Sequence, residues 1–226
     1  MSTVIVGACA PSPANDSLAA MQNEVARFVL LPDQNEVLAI AGQEIRNAIK
    51  RVNTRVWNWG ITWFDITSVL DQADYTIANN WKAPLMLERL NSSNQGIGRP
   101  FRYYNWKELK ARYPNADQSG SPRAYTVINN TDTCSLSLSV PCGQSFVDAN
   151  PTLRHWYHRR LEELTLPNQR LIAPPEVELF IKWYAKETMA MRFSPALVGM
   201  ARIERFNVWS DIVNDDLQIN THDWRS

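Results

Sequence analysis

Between residues 16 and 56 apolar side chains recur every three or four positions, the interval that gathers them on one side of an α-helix. Leu18, Met21, Val25 and Phe28 form a first series, with Asn15 or Asp16 placed to cap it and Pro32 to end it. Asp33 can cap a longer helix, in which Leu38, Ala41, Ile45, Ala48, Ile49, Val52 and Val56 fall on one stripe about 100° wide. The other side carries Arg46, Lys50, Arg51 and Arg55, with Glu44 as the lone nearby acid. Cations near a helix C-terminus suit the macrodipole, so the plain reading is a solvated face; a face toward another protein or DNA is the sharper one.

From Trp57 the pattern changes. Residues 61–67 are β-branched and aromatic, which suits a pleated surface, and further extended segments are predicted at 75–77, 84–90, 101–104, 122–128, 135–140 and 153–160. Residues 125–128 and 136–140 read as a hairpin joined through Asn129-Asn130-Thr131-Asp132, with another strand after Gly143. One short helix interrupts them, since Asn105 can cap 106–112 before Pro114 stops it.

Helical spacing returns after Pro174-Pro175, where Val177, Phe180, Ile181, Tyr184, Ala185 and Thr188 share a face and Glu176 and Glu178 occupy the first turn. A last helix is predicted from Pro195 to about Val213, with Leu197, Met200, Ile203, Phe206 and Trp209 as its apolar residues. Residues 214–226 do not continue the pattern, and their Leu217, Ile219 and Trp224 stand among acids as anchors for a neighbour or for their own domain. The succession predicts an α+β protein. A helical bundle is built by both chain ends (16–58 and 174–213), with a small antiparallel β domain inserted between them (59–173). Extended arms flank these at the N-terminus (1–15) and the C-terminus (214–226).

Composition narrows the function classes. With 45% apolar residues in 226, a real core is available without staples. The 23 basic and 23 acidic side chains cancel, which argues against a protein whose main affinity is for nucleic-acid phosphates. Three cysteines, Cys9, Cys134 and Cys142, cannot all pair within the chain and read as reduced thiols of a cytoplasmically made protein. The apolar run of residues 4–10 is too short for a signal peptide, and no stretch approaches a membrane span. Nine tryptophans are scattered along the chain, a distribution of core and interface anchors; a sugar-stacking face is the alternative.

No arrangement points to catalysis. The chain has no phosphate-cradling glycine loop, nucleophile elbow or helical zinc-protease motif. His155 and His158 with Cys134 and Cys142 lack the usual zinc context, and on a strand the two histidines face opposite sides. Glu162, Glu163, Asp65, Asp71 and Asp74 read as solvated acids. A structural protein with no cofactor and no metal is therefore expected.

One constellation is more specific. It runs from Tyr75 through Tyr113-Pro114, Gly120-Ser121-Pro122-Arg123-Ala124-Tyr125, Leu136-Ser137-Leu138 and Pro141 to Trp156-Tyr157-His158-Arg159-Arg160 and Leu166-Pro167, ahead of the Pro174-Pro175 helix. Over residues 35–195 it resembles the head-to-tail adaptor, or connector, proteins of tailed bacteriophages; Ile77-Ala78-Asn79 departs from the family pattern. The resemblance implies a virion structural protein in the neck. It implies a homo-oligomeric ring, usually of twelve copies, bound to the portal and to a tail or further neck protein. Genomic DNA would pass through its channel without specific binding. On this reading Trp209, Leu217, Ile219 and Trp224 dock on the portal or a neighbouring subunit, and Arg46, Lys50, Arg51 and Arg55 face the channel or a subunit interface. A carbohydrate-binding module or adhesin using tryptophan stacking is the alternative.

Overall fold

The structure, a computed structural model, describes residues 15–31, 34–114, 117–129 and 134–222. In chain order its elements are α1 (Leu18–Phe28), α2 (Asn35–Val52), β1 (Ile61–Thr67), β2 (Asp74–Ile77), β3 (Trp81–Leu90), β4 (Arg102–Tyr103), α3 (Trp106–Arg112), β5 (Ala124–Asn129), β6 (Cys134–Leu138), α4 (Gln144–Ala149), β7 (Thr152–Arg159), α5 (Pro175–Phe193) and α6 (Val198–His222). The class is α+β. The described residues divide into one unit within 61–159 and another within 15–60 and 160–222.

In the helical unit, α1, α2, α5 and α6 bury one shared apolar cluster. Met21 and Val25 of α1, Ala41, Ile45 and Ile49 of α2, and Val177, Phe180, Ile181 and Ala185 of α5 contribute to it, as the 3.6-residue spacing requires. Ser17, in extended backbone, accepts a hydrogen bond from the Ala20 amide and starts α1, so neither Asn15 nor Asp16 is the cap. Asn15 is buried instead, its Nδ2 donating to the carbonyls of Leu171 at 2.8 Å and Ala173 at 2.9 Å. The N-cap position of α2 is Gln34; Pro32 and Asp33 lie outside the described residues. Arg55 and Val56 fall beyond the end of α2, and Val56 is exposed.

In the β unit, β1-β7-β3 form a three-stranded antiparallel sheet and β2-β6-β5-β4 a four-stranded one. Alternation along β1 turns Thr62, Phe64 and Ile66 inward. They meet a cluster that includes Tyr125, Leu136, Leu153 and Tyr157. The hairpin of β5 and β6 pairs Tyr125 with Leu138 and Val127 with Leu136, the two runs expected to pair; residues 130–133 of its loop are not described. The domain is not wholly antiparallel. β4 runs parallel to β5, because α3, capped by Asn105 Oδ1 on the Glu108 amide at 2.9 Å, supplies the crossover a parallel pair needs. The segment after Gly143 is the helix α4, not a strand, and it buries Phe146.

The largest departure is at the C-terminus, where α6 continues to His222 and residues 214–222 are helix rather than an extended arm. Asn, Asp and Thr there have weak helix propensity, but tertiary contacts override it. Ile212 is buried, and buried Asp216 accepts from the Asn58 amide through Oδ1 at 2.7 Å. Residues 1–14, the expected N-terminal arm, lie outside the described residues.

Candidate interaction surfaces

One side of α6 is fixed to its own unit by three kinds of contact. Buried Glu187 of α5 takes Arg202 Nε at 2.9 Å and Arg205 Nε at 2.6 Å. Trp209 stacks obliquely on Phe180 with ring centroids 4.6 Å apart and meets Trp57 edge-on at 5.4 Å. Asn58 Nδ2 donates to the Asp216 carbonyl at 3.0 Å. With about 100° of turn per residue, Ala201, Arg205, Trp209, Ile212 and Asp216 lie on one face. Met200, Ile203, Phe206 and Leu217 lie roughly opposite, and they are 49%, 61%, 65% and 51% exposed.

The residues of the docking set read from the sequence take different positions. Trp209 is partly buried and packs against the apolar cluster of its own unit. Leu217 is exposed, as are Met200, Ile203 and Phe206, three of the apolar residues predicted for this helix. The side chain of Ile219, and Trp224 as a whole, lie outside the described residues.

The basic residues also separate. Lys50 pairs with Glu163 at 3.0 Å, both well exposed, and Arg46 Nη2 donates to Gln43 Oε1 at 2.9 Å. Arg51 is exposed on the last turn of α2. Arg55, past the helix end, lies over the Trp57 ring at 4.8 Å. The four are thus spread over the C-terminal half of α2 and the turn after it.

Of the groups considered for chemistry, His155, Cys134 and Cys142 are buried, whereas Asp71, Asp74, Glu162 and Glu163 are exposed. His155 is fully buried, caged by Phe64, Tyr125 and Tyr157 at ring distances of 5.4, 5.5 and 5.6 Å. Burial pushes its pKa down to about 3, so it stays neutral in the core. Cys134 and Cys142 are buried free thiols, with Cys142 Sγ 3.6 Å from Tyr75 Oη and its pKa raised by burial. Among the described residues no three His, Cys, Asp or Glu side chains converge as a metal site would need. Asp65 holds Arg154 through two hydrogen bonds of 2.8 and 2.9 Å.

Two features of the β unit escaped the sequence reading. Trp63 and Trp156 face each other across β1 and β7 with ring centroids 6.2 Å apart; Arg154 lies over Trp63 at 4.1 Å, and Trp156 Nε1 donates to Glu88. Separately, a cleft of about 470 Å³ is lined by Arg89, Arg99, Arg102 and Arg123. These arginines are far apart in sequence, and only the Arg99-Pro100-Phe101-Arg102 run hinted at them. No described helix is long and apolar enough to cross a membrane. No family model matches the chain, and no curated protein matches it.

Proposed function

We propose that the protein is a head-to-tail adaptor of a tailed bacteriophage, a virion structural protein that forms a ring under the portal and surrounds the DNA channel. On this reading the helical unit is a bundle completed by both chain ends, with the β unit inserted between its second and third long helices. The motif resemblance over residues 35–195 supports it, and the observation that carries it is the exposed apolar stripe of α6.

That helix is about 37 Å long at 1.5 Å per residue. One face is locked by Glu187, Trp209 and Asp216, so the other is held rigid while it presents Met200, Ile203, Phe206 and Leu217. Large apolar side chains held exposed on a rigid helix face have a cost in water unless something covers them. A neighbouring copy or the portal is the occupant the adaptor reading names. A head-to-tail contact of this kind closes into a ring when its rotation permits. Net neutrality suits a channel wall past which DNA must slide.

Native mass spectrometry of the protein alone and mixed with the portal of the same virus tests the reading. The expected result is a closed ring on the portal, lost in Ile203→Asp/Phe206→Asp while the monomer stays folded. A protein that ignores that portal overturns it.

The Trp63–Trp156 pair favours a second reading, a sugar-stacking face. It is weakened because Arg154 already occupies a face of Trp63 that a pyranose would use. Tryptophan fluorescence unchanged across a panel of glycans removes it.

A further inference from the structure

We propose that the arginine cleft of the β unit is a binding site for a compact phosphate-bearing polyanion. The inference does not depend on the adaptor reading. The cleft is assembled by backbone pairing of three segments. The Phe101 amide donates to Leu87 O at 2.8 Å and the Arg102 amide to Arg123 O at 3.2 Å, which brings the end of β3, the strand β4 and the approach to β5 together. Arg89, Arg99, Arg102 and Arg123 thereby line one concavity of about 470 Å³, with Tyr104 and Tyr113 in its wall.

Its electrostatics are unusual for a neutral protein. The chain has as many acids as bases, yet no acid lines this cleft, and none of the four arginines forms an ion pair among the described residues. Like charges gathered in a concave, partly desolvated site repel one another, and their field is focused outward toward an anion.

Arg89 is also held in place. Its Nη2 donates to the Arg99 carbonyl at 3.1 Å, its guanidinium lies 5.7 Å from the Phe101 ring centroid, and its buried Nε has no partner. Gly98, at φ +68°, makes room for it, since a Cβ there would fall 2.5 Å from Arg89 Nη2. A further guanidinium, Arg112, sits over Tyr104 at 4.7 Å. Planar forks fixed in this way suit bidentate recognition of oxyanions.

The size of the cleft selects among polyanions. A DNA duplex, about 20 Å across, cannot enter it. An acidic peptide with alternate side chains on one face spreads its carboxylates about 7 Å apart along an extended strand. A phosphate chain concentrates comparable charge in a few ångströms, and Tyr113 in the wall is an aromatic neighbour for a base attached to it. A polyphosphate, a nucleotide or a short single strand shares this chemistry.

Calorimetric titration of the full chain with inorganic triphosphate, ATP, a short oligothymidylate and polyglutamate, at low and raised salt, tests the site. Binding of the phosphate ligands, weakened by salt, is expected to fall about tenfold or more in Arg102→Gln/Arg123→Gln, as loss of charge-assisted contacts requires. Because Arg99 is exposed on a loop, Arg99→Gln serves as a second variant that keeps the fold, and a smaller loss is expected there. Triphosphate and ATP binding alike would mark the phosphate chain as the recognised group. Preference for the oligonucleotide would mark a nucleic-acid strand; both support the site. No binding, binding unchanged in the folded variants, or polyglutamate binding as tightly as the phosphates would overturn it.

Discussion

The two units keep their charged groups in opposite ways. The helical unit is built from chain segments more than a hundred residues apart, and partly buried ion pairs tie them together: Lys182 of α5 contacts Asp16 at 2.6 Å and Glu24 at 3.0 Å as well as Glu178 of its own helix at 2.8 Å, while Lys186 takes Glu24 at 2.6 Å. The β unit is one continuous stretch fixed by strand register, and its core is aromatic around a neutral His155. Among the described residues no acid lines its arginine cleft. The difference teaches where each unit stores specificity. Helices slide and rotate on apolar faces unless polar partners fix them, whereas a sheet's register already does so through backbone hydrogen bonds.

Substitutions sharpen that contrast. The largest effect is expected from Phe64→Ala, which empties a fully buried aromatic site in the β core and costs about 4 kcal/mol by denaturant titration. Next is Lys182→Met, which keeps the volume but removes the cation shared by Asp16, Glu24 and Glu178, leaving Glu24 its contact with Lys186; about 3 kcal/mol is expected, the low end for breaking a buried pair because two of the acids are partly exposed. A value near zero would mean that packing alone holds α1 to α5.

Acid separates the units third. His155 has a folded pKa of about 3 against an ordinary 6.5, so the folded state refuses a proton that the unfolded chain accepts. Stability is therefore full above pH 6.5 and is lost progressively as pH falls from 6.5 toward 3, by about 2 kcal/mol at pH 5. Glu24 follows a later course: burial would raise its pKa, but hydrogen bonds from Lys186 and Lys182 outweigh that and hold it below the ordinary 4.5. Its contribution is present above pH 4.5 and goes only as pH falls through that lowered value. Hydrogen exchange should thus show β-unit amides weakening first, and His155→Phe should flatten the early slope. The smallest effect belongs to Lys50→Ala, since its exposed pair with Glu163 is worth under about 0.5 kcal/mol. A large loss of assembly in that variant would instead mark this edge as an interface.

Where a segment carried its own periodicity, the sequence was readable. The stripe of α2, the cap at Asn105, the hairpin of β5 with β6 and the start of α5 at Pro175 follow from local spacing and cap chemistry. Reading failed where a distant partner decided. Gln144–Ala149 is helical against a run of strands, and α6 passes through Asn214, Asp215 and Asp216 because Asn58 receives the Asp216 carboxylate. The ring contacts of Trp209 were not legible either, because its partners, Phe180 and Trp57, lie elsewhere in the chain.

The amino-acid sequence by itself determined the α+β class, the places of the long helices and of most strands, and the cap at Asn105, since these depend on neighbours within a few residues. Only the tertiary structure decided which face of α6 is buried, which acids are paired, and that Arg89, Arg99, Arg102 and Arg123 share one cleft. The physical reason is range. Periodicity reports that a face is apolar, but whether another surface covers it, or whether four separated cations converge, depends on contacts between residues that no local pattern links.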